Sequence, residues 1–306
     1  MNNKIGNPLV SICCVTYNQA PYIRECLDGF IMQKTDFAYE ILIHDDASTD
    51  GTAAIIREYE LKHPNIFKPI YQTENQYSKG ISPTRKFNIP RAKGKYIAFC
   101  EGDDYWTDPL KLQKQADFME ANPDYGLVWS KTSIYYNEEK KIKGTTGSNA
   151  ETFEELLYGN NIPTLTALIR KESLKGYEEC IKGNSWKMGD YPMWLYIASR
   201  SKIHFIDEIT AVYRVLKNSA SHSASYEKQR DFIISAYDIR LFFAKWAKKN
   251  MKEIGRIESR KYRDLFTYAV LRKKHNDAIA YFKKINTADY RMKDIARYII
   301  CIIKII

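Results

Sequence analysis

The amino-acid sequence predicts an α/β fold: a mostly parallel sheet flanked by helices, with a helical C-terminal extension. Three observations carry that prediction. Short apolar, β-branched runs alternate with segments of helical periodicity through the first hundred residues. Three of those runs end abruptly in polar or acidic clusters: YNQ after Thr16, DDASTD after His44 and EGDD after Cys100. From Tyr226 onward the pattern is helical throughout. That change of pattern divides the chain into a main domain over 1–225 and an extension over 226–306.

Taken in order, Leu9 to Thr16 (LVSICCVT) reads as the first strand and Tyr22 to Met32 as the first helix. Tyr39 to His44 (YEILIH) is the second strand. Thr52 to Lys62 is a helix with apolar Ile55, Ile56 and Tyr59, and Ser48 or Thr49 is its expected cap. Phe67 to Gln72 is a third short strand, Pro83 to Ala92 a helix opened by proline, and Tyr96 to Cys100 (YIAFC) a fourth strand. A helix over Leu110 to Asn122, a strand over Tyr125 to Tyr136 and a polar excursion over Glu138 to Ala150 follow. Next come a helix opening at Phe153, a strand over Pro163 to Ile169, an aromatic-rich helix after Asp190 and a strand over Ile203 to Ile206. After Tyr213 the segment RVLKNSASHSAS reads as a loop.

Composition narrows the function. The chain carries a net charge of +10, yet Lys245 to Ile306 holds 17 Lys and Arg against 6 Asp and Glu, so residues 1–244 are close to neutral. Nucleic-acid binding by the main domain is therefore unsupported, and the tail lysines form no base-reading motif. The tail suits an anionic membrane surface or a polyanionic partner, and its helices suit covering the open side of the main domain with Phe242, Phe243 and Trp246 packed inward. No run of 18 apolar residues and no signal-peptide pattern is present, so the protein is expected on the cytoplasmic side, peripheral to the membrane if bound to it. Six cysteines form no CxxC pair and read as packed thiols.

In parallel α/β sheets, sites gather at the carboxyl ends of the strands, where the three polar clusters fall. Asp103 and Asp104 concentrate negative charge, which a divalent cation on a diphosphate would offset; a water-exposed capped turn is the plainer alternative. Asp45 and Asp46 either cap a helix or receive hydrogen bonds from a nucleotide. No G-x-G-x-x-G follows the first strand and no GxxxxGK[ST] occurs, which argues against a nicotinamide dehydrogenase and a P-loop kinase. Asp190, before an amphipathic helix, is an N-cap or a general base.

Three ordered blocks, VSICCVTYNQAPYIRECLDGFIMQKTDFAYEILIHDDASTDGT, AKGKYIAFCEGDDYWTDPLKLQKQADFM and WKMGDYPMWLYIASRSKI with AVYR behind it, resemble the family 2 glycosyltransferases of the GT-A, Rossmann-related fold across residues 8 to 225. The resemblance implies an inverting enzyme that uses a nucleoside-diphosphate-sugar donor, a UDP-sugar favoured, with Mn²⁺ or Mg²⁺. It implies a saccharide or lipid-linked acceptor in the synthesis of a capsule, lipopolysaccharide or other surface polysaccharide. Thr16 and Tyr17 would line the base, Asp46 would bind base or ribose, and Arg85 would stand near the nucleotide. Asp103 would contact ribose or metal, Asp104 the metal, and Asp190 would be the base. Because Glu101 stands where many members have the first acid, the motif reads as E-x-D or D-D, and either Asp103 or Asp104 is the direct ligand. Arg214 is a candidate diphosphate clamp, aided by His222 when the loop closes. Trp186, Tyr191 and Trp194 suit either an acceptor subsite or a core. Two competing classes are a nucleotidyltransferase, which lacks its phosphate loop here, and a non-catalytic carbohydrate-binding or assembly subunit.

Overall fold

The computed structural model describes residues 6–217 and 225–304; His222 and most of the Ser-rich loop lie outside the described residues. In chain order the elements are β1 (Val10–Thr16), α1 (Ile23–Ile31), β2 (Tyr39–Asp45), α2 (Thr52–Lys62) and β3 (Ile70–Tyr71). A π-turn over Thr84–Asn88 leads into α3 (Ile89–Arg91), β4 (Tyr96–Phe99), β5 (Tyr105–Trp106), α4 (Lys111–Ala121), β6 (Tyr125–Tyr136) and β7 (Lys141–Thr146). Then follow α5 (Phe153–Tyr158), β8 (Leu168–Arg170), α6 (Tyr177–Cys180), α7 (Tyr191–Ala198) and β9 (Lys202–Val215). Four helices close the chain: α8 (Tyr226–Trp246), α9 (Met251–Leu271), α10 (His275–Phe282) and α11 (Met292–Ile303).

Among the described residues, nine strands form one sheet in the order β3-β2-β1-β4-β8-β6-β9-β5, with β7 paired to β6. Its first half is parallel, β1 lying between β2 and β4. β8 then runs antiparallel to both β4 and β6, and the long β6 and β9 are parallel to each other. The parallel strands are apolar because both their faces are covered. Val10, Ile12 and Cys14 of β1, Ile41 and Ile43 of β2, and Tyr96 and Ala98 of β4 all sit in one core. Cys13, Cys14, Cys26 and Cys100 are free and buried, and burial pushes the Cys100 thiol up to about 12, so these are packing groups.

Several elements depart from the sequence pattern, each for a physical reason. β7 has all six residues exposed, so no alternation marks it. β5 is two residues long and exists because Tyr105 and Trp106 pair with Val212 and Ala211 of β9. Within 163–169, a 3₁₀ turn over Thr164–Thr166 precedes β8, because the Thr166 hydroxyl turns back to the Pro163 carbonyl. The expected cap of α2 is absent: Gly51, at φ 97°, is the cap residue, and the Ser48 hydroxyl is committed to another loop.

The chain separates into two compact units, one of residues 6–156, 161–180 and 196–216 and one of residues 157–160, 181–195, 217 and 225–304. The sheet belongs to the first. In the second, Ser225 caps α8 and an Asn250–Glu253 capping box starts α9. Phe266, Ala269, Ala278, Phe282 and Cys301 are its core. Phe243 is fully buried there, whereas Trp246 is 41% exposed, contrary to the inward packing its apolar character predicts.

Candidate active site

The carboxyl ends of β1 and β2 are tied together by their loops. Asn18 N donates to the Ser48 hydroxyl (2.9 Å), Gln19 N to the Thr52 hydroxyl (2.9 Å) and Ala20 N to the Asp50 carboxylate (3.0 Å). Thr49 N donates back to the Asn18 side chain (2.8 Å). Both loops hold a non-glycine residue in the left-handed region, Asn18 at φ 51° and Ala47 at φ 65°. For alanine that conformation costs roughly 1–2 kcal/mol, which the surrounding network must offset.

Asp45 and Asp46 end β2 in different states. The buried Asp46 carboxylate accepts from Gln76 N (2.8 Å), Tyr77 N (3.0 Å) and His44 Nε2 (3.2 Å), so both its oxygens hold the 75–77 turn in place. Burial lowers the His44 pKa, which leaves a neutral ring with its proton on Nε2 facing that carboxylate. Asp45 is equally buried, but its Oδ1 has no hydrogen-bond partner. Burial raises the Asp45 pKa, against hydrogen bonds from Ser48. The unpartnered carboxylate oxygen at this strand end is therefore that of Asp45, and it is buried.

The acidic turn after β4 is pressed against β1. Gly102 N donates to the Val15 carbonyl (3.0 Å). A Cβ on Gly102 would come within 2.6 Å of Gln19 Oε1 and 2.7 Å of Thr16 Oγ1, so only glycine lets the turn lie this close. Thr16 itself is buried, its hydroxyl donating to Gln19 Oε1 (2.7 Å), while Tyr17 is 48% exposed. Asp104 is buried and accepts from Arg214 N (2.7 Å). Burial and the neighbouring charges of Asp103 and Glu101 hold its carboxyl well above the usual range. Asp103 is raised too, by burial, with the Arg214 charge and Gln19 opposing.

Arg214 is buried and faces inward. Its Nε donates to the Asp103 carbonyl (2.8 Å), one guanidinium nitrogen pairs with Glu25, and the group lies 4.8, 5.2 and 5.6 Å from the ring centroids of Tyr22, Tyr105 and Tyr135. These contacts make it the brace of the acidic turn. The structure thus brings Thr16, Asp45, Asp46, Asp103, Asp104 and Arg214 to the carboxyl edge of one sheet. Arg85 lies on the π-turn that packs against β1 and β2, its guanidinium on Glu178 (2.9 and 2.6 Å) and 5.8 Å from the Tyr177 ring. Asp190 belongs to the second unit, where its Oδ1 accepts from Tyr191 N (2.7 Å) at the start of α7. The segment before it is held by Trp186 against Phe242 and Phe243 and by Lys187 N on the Ser235 hydroxyl (2.7 Å). Sequence reasoning held Gln19 only as part of the YNQ cluster and missed Glu25 and the tyrosines around Arg214, of which Tyr105 adjoins the acidic pair.

The acidic turn fits a divalent cation. A buried carboxyl, Asp104, beside the half-buried Asp103, both raised by desolvation, offers hard oxygen ligands of the kind Mg²⁺ or Mn²⁺ takes. Among the described residues no three His, Cys, Asp or Glu side chains gather as a cage, so protein oxygens alone would not complete the coordination.

A parallel α/β half-sheet with acidic clusters after β2 and β4, the strands that flank β1, belongs to the class of α/β proteins that place their sites at the carboxyl edge of the sheet. More narrowly, the chain belongs to glycosyl transferase family 2, whose model matches residues 11–176. It is 35% identical over 226 residues to an uncharacterized protein of Mycobacterium tuberculosis, a match spanning 73% of this chain and 63% of that protein. It is 31% identical over 215 residues to the Escherichia coli UDP-Glc:alpha-D-GlcNAc-diphosphoundecaprenol beta-1,3-glucosyltransferase WfaP, across 70% of this chain and 80% of that enzyme. Its fold matches the mannosyltransferase PcManGT from Pyrobaculum calidifontis, solved with GDP-Man and Mn²⁺, with a TM-score of 0.58 at 18% identity over 95% of this chain and 79% of that one.

Proposed function

We propose that this protein transfers a sugar from a nucleoside-diphosphate-sugar, a UDP-sugar in first place, to a saccharide or lipid-linked saccharide acceptor, with inversion, in cell-surface polysaccharide synthesis. The observation that carries the reading is the Asp103–Asp104 turn, with Asp104 buried and Asp103 half-buried, seated on Thr16 and Gln19 and braced by Arg214. Its concentrated negative charge, on carboxyls raised above the usual carboxylate range, suits a ligand that brings a cation and a diphosphate. Family membership and the donor named for the Escherichia coli relative point the same way.

In this reading Tyr17 meets the base, Thr16 seats the loop beneath it, and Asp46, which holds the 75–77 turn, binds base or ribose with the unpartnered oxygen of Asp45 next to it. Asp103 faces the ribose, and Asp104 holds Mn²⁺ or Mg²⁺ with Asp103 beside it. A divalent cation, when bound, supplies positive charge at the leaving diphosphate. Arg214 keeps the acidic pair in position, and Arg85 reaches a nucleotide phosphate by exchanging Glu178 for it. Asp190 takes the proton of the acceptor hydroxyl as that oxygen bonds to C1; the bond from C1 to the phosphate oxygen breaks on the opposite face, and its electron pair leaves with the nucleoside diphosphate. The reaction is placed at the cytoplasmic face of the cell membrane, where a lipid-linked acceptor lies and the basic tail meets anionic headgroups. No described helix is long and apolar enough to cross a membrane.

The test is hydrolysis and transfer with a panel of UDP-, GDP- and dTDP-sugars, with and without Mn²⁺, by the wild type and an Asp190→Asn variant. One donor should be bound and consumed, and the variant should bind it normally while turnover falls by about 10² or more. Absence of any donor binding would assign the chain to a non-catalytic binding role.

A further inference from the structure

Helix α11 carries two apolar stripes, and its own unit uses only one. The inner stripe turns Asp294 and Cys301 into the interior, with Ile295 and Tyr298 packed on the core of the second unit. One such stripe is all a helix needs to pack. The other runs through Met292, Ala296, Ile299, Ile300 and Ile303, positions 4, 7, 8 and 11 residues beyond the first, which share one face of a 3.6-residue helix. This face is open: Met292 is 82% exposed, Ile299 50%, Ile300 51% and Ile303 66%. Lys293 and Lys304, both exposed, fall along one margin of it.

We propose that this outer stripe docks on a membrane surface bearing anionic headgroups, with α11 lying in the interface plane, its isoleucines at the acyl boundary and its lysines among the headgroups. The charge of the segment selects this occupant. Residues 245–306 carry 17 Lys and Arg against 6 Asp and Glu, so pairing two copies through α11 would bring like charges together, whereas an anionic lipid surface attracts them. The inference gives a specific face to the membrane placement proposed above and rests on that placement; it is independent of the sugar-transfer chemistry.

The test is sedimentation of the full-length protein with vesicles of phosphatidylcholine alone or mixed with phosphatidylglycerol. The wild type should partition onto the anionic vesicles. The triple variant Ile299→Ser, Ile300→Ser and Ile303→Ser should bind at least ~10-fold more weakly, and Lys293→Gln with Lys304→Gln should bind severalfold more weakly, as should the wild type in raised salt. Unchanged melting curves would show that the variants fold, and unchanged nucleotide binding on the same samples separates docking from the transferase reading. Equal sedimentation of wild type and triple variant would overturn the proposal. So would a wild-type dimer that the triple variant converts to a monomer without any effect of vesicles.

Discussion

Two adjacent aspartates at the end of β2 do different work because their oxygens meet different partners. Asp46 is saturated by two backbone amides and His44, whereas Asp45 keeps an unpartnered oxygen and a raised pKa. Because the folded Asp45 carboxyl titrates above its unfolded value, the unfolded chain ionises first as pH rises, and the native state loses stability through that interval. Asp45→Asn is therefore expected to raise the melting temperature at neutral pH by roughly 2–4 °C, an advantage that fades as pH falls toward about 4, while nucleotide affinity drops about tenfold. Asp46→Asn should do the reverse to stability, lowering it by about 1–3 kcal/mol through the loss of charge-assisted bonds to the 75–77 turn. Thermal scans across pH on both variants check this pair. At Arg214 loss of positioning is expected: Arg214→Met should reduce kcat by about 10² with a smaller change in KM, and Arg214→Lys should fail to rescue it, since the single nitrogen of lysine does not reproduce the fork that reaches the Asp103 carbonyl through Nε and Glu25 through a terminal nitrogen.

At the scale of elements, the junction of β5 with α4 stores a second titratable group. Lys111 is fully buried, its ammonium 4.2 Å from the Trp106 ring centroid and donating to Gln115 Oε1 (2.8 Å), and burial lowers its pKa to about 7. The unfolded lysine holds its proton to about 10.4, so wild-type stability should climb between pH 7 and pH 10. Lys111→Met should remove that climb, and a flat wild-type profile would show that the ammonium is well solvated. Elements such as this mark what was legible in the sequence. The strands of the parallel half were readable because burial on both faces makes them continuous apolar runs, and α2 was readable from its periodicity. β5 was not, since two residues carry no period and only β9 makes them a strand. The site was legible where chemistry is local, as in the acidic turn. It was illegible where partners are remote: Glu25 and Arg214 lie 189 residues apart, and which of Asp45 and Asp46 keeps a free oxygen is decided by amides at 76 and 77.

For the whole molecule, the proposed roles of Asp190 and the acidic turn fall in different units. The segment carrying Asp190 is grouped with the C-terminal helices and held there by Trp186, Lys187 and the Arg240–Tyr191 contact (3.1 Å), whereas the acidic turn belongs to the sheet. Ending the chain at residue 225 should therefore abolish transfer while donor binding survives in whatever fraction folds, as measured by nucleotide titration beside an acceptor assay. The account stands or falls on the acidic turn as a cation-dependent seat for a nucleoside diphosphate. The most direct measurement is calorimetric titration of UDP and GDP into the wild type and into Asp104→Asn, with and without Mn²⁺. The account predicts one nucleotide bound in the presence of Mn²⁺, bound at least ~10-fold more weakly without it, and insensitive to Mn²⁺ in the variant. Equal affinity in wild type and variant under both conditions would contradict it.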